Sequence, residues 1–370
     1  MKVLFCGGGT AGHINPAIAM AQLLLKEYEG CEVAFVGRRG GRENDLITDL
    51  GYKLYTIELS GLKRSLSIKN LKALCQAISG TKKAKKIIEE FNPDIVIGTG
   101  GYVCWPVLRA ATEKKIKTLI HESNAYPGLA TRRLAYKCDR VLLNFEKAKE
   151  HLKRKDNVTI VGNPIREGFK KGTREEERAR LGLTKKDILI VSFGGSLGAE
   201  KINLAVLGAM KNYICEKKNI HHIHSSGYGY YDKIKAEHPE LCKGKNGCLI
   251  LPYIKNAPSL LQAADITITR SGSATLSELA AVGSASILIP SPNVTANHQY
   301  ENARALQEQG AAVIINENSL TQDSLTEAIA ELVTNKDKAM RMRTKIKKFS
   351  NGDTDDKILA VINSCIKKKD

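Results

Sequence analysis

The sequence predicts an α/β protein built as two Rossmann-like, doubly wound parallel-sheet domains facing across a cleft. Three observations carry that prediction. Two glycine-rich turns, Gly7-Gly8-Gly9-Thr10-Ala11-Gly12-His13 and Gly194-Gly195-Ser196-Leu197-Gly198-Ala199, each follow an apolar strand and open a helix. Short apolar strands alternate with helical patterns along the chain, as parallel sheets covered on both faces require. The series restarts once, after Gly162-Asn163-Pro164, where a Gly/Pro turn reads as a hinge. A chain of 370 residues also exceeds the usual size of one core. The expected domains are therefore residues 1–163 and 164–351, with a terminal helix over 352–370 packing back on the first.

The expected strands of the first half are Val3–Cys6, Val33–Val36, Asp94–Gly98, Thr118–His121, Val141–Asn144 and Val158–Val161. Those of the second are Ile188–Phe193, His221–Ser225, Cys248–Leu251, Ile266–Thr269, Ser286–Ile289 and Ala312–Ile315. The tail from Asn335 is helical and basic. Asp353 stands after the Asn351-Gly352 break and suits an N-cap. Asp353-Thr354-Asp355 also spells a metal-holding Asp-x-Asp, but the start of a terminal helix favours capping over a cation site.

Composition excludes several classes. No apolar run approaches the ~18–20 residues that span a bilayer, and the N-terminal apolar stretch is too short for a signal peptide. The expectation is a protein of the cytoplasm. The nine cysteines contain no Cys-x-x-Cys, which reads as free thiols in a reducing compartment. The formal net charge is +18. Much of the excess lies in Lys63, Arg64, Lys69, Lys72, Lys82, Lys83, Lys85 and Lys86, a stretch without acids that seeks polyanions.

The motifs point to a phosphorylated ligand. A strand–glycine turn–helix unit aims bare backbone N–H groups and a positive helix end at an anion. The first turn satisfies the bare Gly-x-Gly-x-x-Gly pattern, and Arg38-Arg39 stand where a dinucleotide fold places its ribose acid, so a nicotinamide dehydrogenase stays open at this point. His13, in the first helical turn, suits a general base on a sugar hydroxyl, or a capping and packing role. Gly98-Thr99-Gly100-Gly101-Tyr102 and His121-Glu122-Ser123-Asn124 lie at carboxyl ends of strands, where such sheets bind ligands. Arg270-Ser271-Gly272-Ser273-Ala274-Thr275-Leu276-Ser277-Glu278 offers a further set of donors. Its Glu278 can accept from two vicinal ribose hydroxyls, or simply complement the helix dipole. Asn297-His298-Gln299 suits sugar hydroxyls. In His221-His222-Ile223-His224, alternation puts His222 and His224 on one face and His221 on the other. With no carboxylate or thiol ligand nearby, no metal is expected there.

Taken together, GGGTAGHINP (7–16), GTGGYV (98–103), HESNAYPG (121–128), GNPIR (162–166), FGGSLGA (193–199), RSGSATLSE (270–278) and NHQYENA (297–303) keep one order over nearly the whole chain. In this the sequence resembles the bacterial MurG family, which transfers N-acetylglucosamine (GlcNAc) to undecaprenyl-pyrophosphoryl-N-acetylmuramyl-pentapeptide. The resemblance implies a glycosyltransferase of the B type. It would move GlcNAc from UDP-GlcNAc to the C4 hydroxyl of N-acetylmuramate in lipid I, making lipid II with inversion. The C-terminal domain would hold the donor and the N-terminal domain the acceptor.

By matching position, the resemblance puts Ser196 at the diphosphate, with Ala274 and Thr275 of the third loop. Arg166 and backbone atoms of Ile254 would lie at the uracil, Glu278 at the ribose and Gln299 at the GlcNAc hydroxyls. Thr10, Ala11, Gly12 and Asn124 would line the donor-sugar side, Gly100, Gly101 and Tyr102 the acceptor side, and His13 is the candidate base. No metal or other cofactor is implied. Two departures stand out. Ala11 replaces a common glycine, so the position cannot need a strongly positive φ. Cys104-Trp105 fills a place where smaller residues are common. The basic stretch, interleaved with Leu62, Leu66, Ile68, Leu71 and Leu74, suits docking on an anionic leaflet, as for a peripheral protein on the cytoplasmic face of the membrane. Three other readings stay open: a UDP-GlcNAc 2-epimerase of the same architecture, a nucleic-acid-binding protein and the dehydrogenase. Against nucleic acid, the interleaved residues are aliphatic and offer no stacking platform.

Overall fold

The computed structural model of the chain describes residues 1–8, 11–41, 43–59, 68–195, 198–294, 297–350 and 352–366; for Ala11, Glu43, Asp45, Leu46 and 68–78 it describes the backbone. The chain divides into two compact units, Met1–Ile165 with Asn351–Asp370, and Arg166–Ser350.

The first unit holds a seven-stranded, wholly parallel sheet. Its strands are β1 (Lys2–Cys6), β2 (Glu32–Arg38), β3 (Lys53–Ile57), β4 (Ile95–Gly98), β5 (Lys117–Glu122), β6 (Arg140–Leu143) and β7 (Val158–Ile160), in the order β3-β2-β1-β4-β5-β6-β7. β1 is central, pairing Phe5 with Phe35 on one side and with Ile97 on the other. Its residues Val3 to Cys6 are wholly buried, because their alternate side chains feed the apolar layers on both faces of the sheet. One layer gathers Leu4, Cys6, Val96, Leu108 and Ile120; the other gathers Val3, Phe5, Met20, Leu24 and Ile97. The terminal helix Thr354–Ile366 adds Ile358, Ile362 and Cys365 to the second layer. The Tyr28 hydroxyl donates to Asn363 Oδ1 at 2.7 Å from the helix Ala11–Glu27 side.

The second unit repeats the plan with β8 (Ile188–Phe193), β9 (Ile220–Ser225), β10 (Cys248–Leu251), β11 (Ile266–Thr269), β12 (Ala285–Leu288) and β13 (Ala312–Ile314), in the order β10-β9-β8-β11-β12-β13. The fold class is the predicted one, with one correction in the strand list: β3 is absent from the expected strands. It is an edge strand paired only with β2, and Leu54, Tyr55 and Thr56 are half-buried. A half-covered edge needs no continuous apolar run, so Lys53-Leu54-Tyr55-Thr56-Ile57 lacks the pattern that marks the central strands.

Both sheets reverse strand order once, between β1 and β4 and between β8 and β11. Ligands of open α/β sheets bind beyond the carboxyl ends of the strands at such a reversal. The loops flanking those two points are the glycine turns and their partners: Gly7 onward with Thr99-Gly100-Gly101, and Gly194 onward with Arg270-Ser271-Gly272.

Candidate functional site

In the first unit the two loops at the strand reversal meet backbone to backbone. Gly101 has φ +81°, and a Cβ there would stand 2.0 Å from the Gly8 carbonyl oxygen. Gly100 has φ +109°, and a Cβ there would stand 2.4 Å from Nδ1 of His13. The half-buried His13 imidazole therefore lies directly on the Gly100 backbone, in the first turn of the helix Ala11–Glu27. Gly8 and His13 thus meet Gly100 and Gly101 on one surface. Ala11 is the first residue of that helix, so its backbone is helical, a conformation that needs no glycine. Pro16 lies inside the same helix and has no N–H to offer the Gly12 carbonyl, which keeps an acceptor at the motif. Thr10 lies outside the described residues. Tyr102 and Trp105 are half-buried with their rings packed on the core.

Asn124 is held by a residue the sequence did not single out. Glu122, at the end of β5, is buried. Its Oε1 accepts from the backbone and side-chain nitrogens of Asn124, both at 3.0 Å. Its Oε2 accepts from the Gly128 N–H at 2.9 Å and the Thr131 hydroxyl at 2.7 Å. Four donors on one carboxylate compensate its burial and shape the whole loop. Beside it, the buried His121 donates from Nε2 to the Gly162 carbonyl at 3.0 Å, and the Ser123 hydroxyl donates to Asn163 Oδ1 at 3.0 Å. Burial lowers the proton affinity of His121.

In the second unit, Gly198 has φ +80°, and a Cβ there would stand 2.0 Å from the Ser226 carbonyl oxygen. Ser196 lies outside the described residues. The helices that follow the two loops, Glu200–Asn212 and Ser273–Val282, have Ala199 and Gly272 at their N-caps and no side-chain cap on the first N–H groups. Uncapped ends leave donors for an anion. Ala274 and Thr275 are half-buried in the first turn of the second helix.

Further along that helix, Glu278 is buried and paired with Arg166: Nε and Nη2 both reach its Oε1 at 2.8 Å. Burial raises the Glu278 carboxyl above its ordinary value, and the guanidinium opposes that shift. Ile254 is buried just past β10. Gln299 is half-buried; its Oε1 accepts from the Ser291 N–H at 2.9 Å, and its carbonyl from the Ser271 hydroxyl at 2.8 Å. Gln299 is thereby fastened to the β11 loop.

The histidine tract forms a hydrogen-bonded chain. His221 faces Asp187 at 3.5 Å, while His222 and His224 are wholly buried on the other face. Asn203 Nδ2 donates to the Ser226 carbonyl at 3.0 Å, so its Oδ1 accepts from His224 Nε2 at 3.1 Å. His224 Nδ1 then accepts from the Ser192 hydroxyl at 2.8 Å, and Ser192 accepts from His222 Nε2 at 2.7 Å. Both rings are neutral in this arrangement. Among the described residues no group of three or more His, Cys, Asp or Glu is placed to hold a metal ion.

Two wholly parallel sheets, each with a glycine turn and a partner loop at its strand reversal, define a two-domain α/β protein built to bind a nucleotide-linked ligand. The sequence profile of the glycosyltransferase family 28 N-terminal domain matches residues 3–143, and that of the family 28 C-terminal domain matches residues 189–357. A UDP-N-acetylglucosamine–N-acetylmuramyl-(pentapeptide) pyrophosphoryl-undecaprenol N-acetylglucosamine transferase from Thermoanaerobacter sp. (strain X514) is 44% identical over 98% of this chain and 100% of its own. The crystal structure of Acinetobacter baumannii MurG is similar with a TM-score of 0.78 and 26% identity, covering 98% of this chain and 99% of that one. The chain belongs to this family of N-acetylglucosaminyltransferases and is an enzyme. UDP-GlcNAc 2-epimerase from Neisseria meningitidis, solved with UDP-GlcNAc bound, shares the fold alone, at 16% identity and a TM-score of 0.67 over 98% of this chain and 100% of that one.

Proposed function

We propose that this enzyme transfers GlcNAc from UDP-GlcNAc to the C4 hydroxyl of the N-acetylmuramate in lipid I, forming lipid II with inversion. The observation that carries the donor half is the pairing of Arg166 with Glu278 on the helix Ser273–Val282, whose N-terminus, like that of Glu200–Asn212, is uncapped at the β8/β11 reversal. Those N–H groups, with Ser196, Ala274 and Thr275, bind the diphosphate and stabilise charge on departing UDP. Preorganised donors of this kind are commonly worth about 3–4 kcal/mol each in the transition state, so the reading needs no metal ion. Glu278 accepts from the ribose hydroxyls, Arg166 and the Ile254 backbone address the uracil, and Gln299 the sugar.

In the first unit, His13 takes the proton of the acceptor hydroxyl. The oxygen forms its bond to C1 of GlcNAc from the face opposite the phosphate, and the C1–O bond to the phosphate breaks with its electron pair going to UDP. Gly100, Gly101 and Tyr102 form the acceptor side, and Thr10, Ala11, Gly12 and Asn124 the sugar side.

The acceptor's lipid places the enzyme on the cytoplasmic face of the membrane as a peripheral protein. No described helix is long and apolar enough to cross a bilayer. The segment Lys63–Lys86 supplies the contact with anionic lipid, at ~1 kcal/mol per basic residue near the surface. Residues 60–67 lie outside the described residues; Lys82, Lys83 and Lys86 are exposed on the helix Ile68–Phe91. The deciding experiment is transfer of labelled GlcNAc to a lipid I analogue. Conversion of UDP-GlcNAc alone to its ManNAc epimer, without transfer, would favour the epimerase reading instead.

A further inference from the structure

We infer that Cys215 and Cys248 form a redox-modification site, a thiol pair set to close as a disulfide. The Cys215 thiol donates to Cys248 Sγ at 2.9 Å across 33 residues of sequence. Cys215 lies in the turn Ile214–Glu216 that follows the helix Glu200–Asn212, and Cys248 opens β10. A disulfide needs its sulfurs about 2.05 Å apart, so a small side-chain rotation closes the gap. Cys215 is half-buried and meets the oxidant first; Cys248 is buried, and that burial raises its thiol above the ordinary value.

With a low-molecular-weight disulfide as oxidant, the Cys215 thiolate attacks one of its sulfurs and one small thiol leaves. Cys248 then gives up its proton and attacks the Cys215 sulfur, expelling the second small thiol. Two protein thiols are oxidised and one disulfide is reduced to two thiols. The test incubates the full chain with excess glutathione disulfide, quenches, denatures, alkylates and maps peptides without reduction. The expected result is a Cys215–Cys248 crosslinked peptide and a raised Tm, both reversed by dithiothreitol and absent in Cys215→Ser and Cys248→Ser. Alkylation of both thiols, or glutathione held on Cys215 without the crosslink, overturns the inference.

A separate set of contacts points to Cys104 as a positioning residue for the first-unit site; this rests on the acceptor reading above. The Gly100 N–H donates to Cys104 Sγ at 3.2 Å. The Cys104 thiol in turn faces the carbonyls of Gly100 at 3.0 Å and of Cys6, at the end of β1, at 3.1 Å. The sulfur thereby pins Gly100, the backbone on which the His13 ring rests. A hydroxyl at this position keeps one donor and an acceptor; an isopropyl group fills similar space and keeps neither.

Cys104→Ser is expected to retain kcat within about threefold, whereas Cys104→Val loses at least tenfold with a displaced pH–rate profile and an unchanged UDP dissociation constant. Both are assayed below their melting temperatures on a lipid I analogue beside the wild type. A wild-type kcat and pH profile in Cys104→Val, or equal damage in Cys104→Ser, overturns the assignment. Absence of transfer by the wild type would instead refute the acceptor reading.

Discussion

Arg166 and Glu278 lie 112 residues apart and meet through a single oxygen. Nε and Nη2 of Arg166 both donate to Glu278 Oε1 at 2.8 Å, and among the described residues Oε2 has no donor. The ion pair therefore orients a carboxylate whose second oxygen is available to a ligand. Burial makes the ionised form costly, and the guanidinium offsets part of that cost.

Glu278→Ala is expected to weaken UDP binding by at least tenfold in calorimetry, roughly 1.4 kcal/mol, and an unaltered dissociation constant refutes the ribose assignment. Arg166→Ala leaves the buried carboxyl without its counter-charge, so its proton affinity rises further. A protonated Glu278 is a poorer acceptor, and UDP affinity in this variant is expected to decline at a higher pH than in the wild type. Coincident affinity–pH curves between pH 8 and 5 would show that the pair does not tune Glu278.

Two glycines of the first unit separate backbone requirement from contact. Gly101→Ala puts a methyl at φ +81° and 2.0 Å from the Gly8 carbonyl; the left-handed conformation alone costs roughly 1–2 kcal/mol, and the clash adds to it. Gly30 has a similar φ, +67°, and a methyl group added there would meet nothing within 4 Å. Gly101→Ala should lower both Tm and transfer activity, while Gly30→Ala lowers Tm modestly and leaves kcat intact. Equal effects would mean that the Gly8–Gly101 contact does not matter to the site.

The architecture was legible because central parallel strands are covered on both faces. Ile188–Phe193, Cys248–Leu251 and Ile266–Thr269 match the expected spans residue for residue: β11 is buried throughout and β8 along its middle, while β10, an edge strand, keeps an unbroken apolar Cys-Leu-Ile-Leu sequence. β3 was not legible, because Lys53 and Thr56 interrupt the apolar run that the edge strand β10 keeps, and a half-covered edge tolerates them. Of the site, sequence spacing revealed the turns that border each strand reversal. It could not reveal Glu122, because the four donors that make its burial tolerable converge only in the folded loop. The Arg166–Glu278 pair and the Ser192–His222–His224 chain were hidden for the same reason: each joins groups from different elements.

His13→Ala is expected to lower kcat by about 10²–10⁴-fold, the usual contribution of a general base, with little change in UDP affinity. The prediction follows from His13 lying in the first unit, on Gly100, while Arg166 and Glu278 belong to the second. Steady-state transfer to a lipid I analogue, paired with calorimetry on UDP, measures both quantities. Unchanged turnover would remove His13 as the base and return it to a packing role.

The buried histidines make the second unit sensitive to acid in a defined window. Burial holds His224 at about 4 and His222 well below the ordinary imidazole value. Their neutral forms are thus favoured in the folded state, and the unfolded chain binds more protons as pH falls. Stability is accordingly full above about pH 6.5 and declines as pH drops from there toward 4, by roughly 3 kcal/mol for His224 alone. Protonating His224 Nδ1 would set it against the Ser192 hydroxyl proton and disturb the chain through Asn203 to the Ser226 carbonyl, the atom that Gly198 approaches. Urea midpoints between pH 8 and 4.5 should therefore fall with acid, and UDP affinity should fall with them. His224→Gln removes the titrating group, so its midpoint should start lower at pH 8 and depend less on pH. His121, lowered by burial in the first unit, contributes the same sign in both proteins and cancels in that comparison. Parallel curves for wild type and His224→Gln would place the acid sensitivity elsewhere.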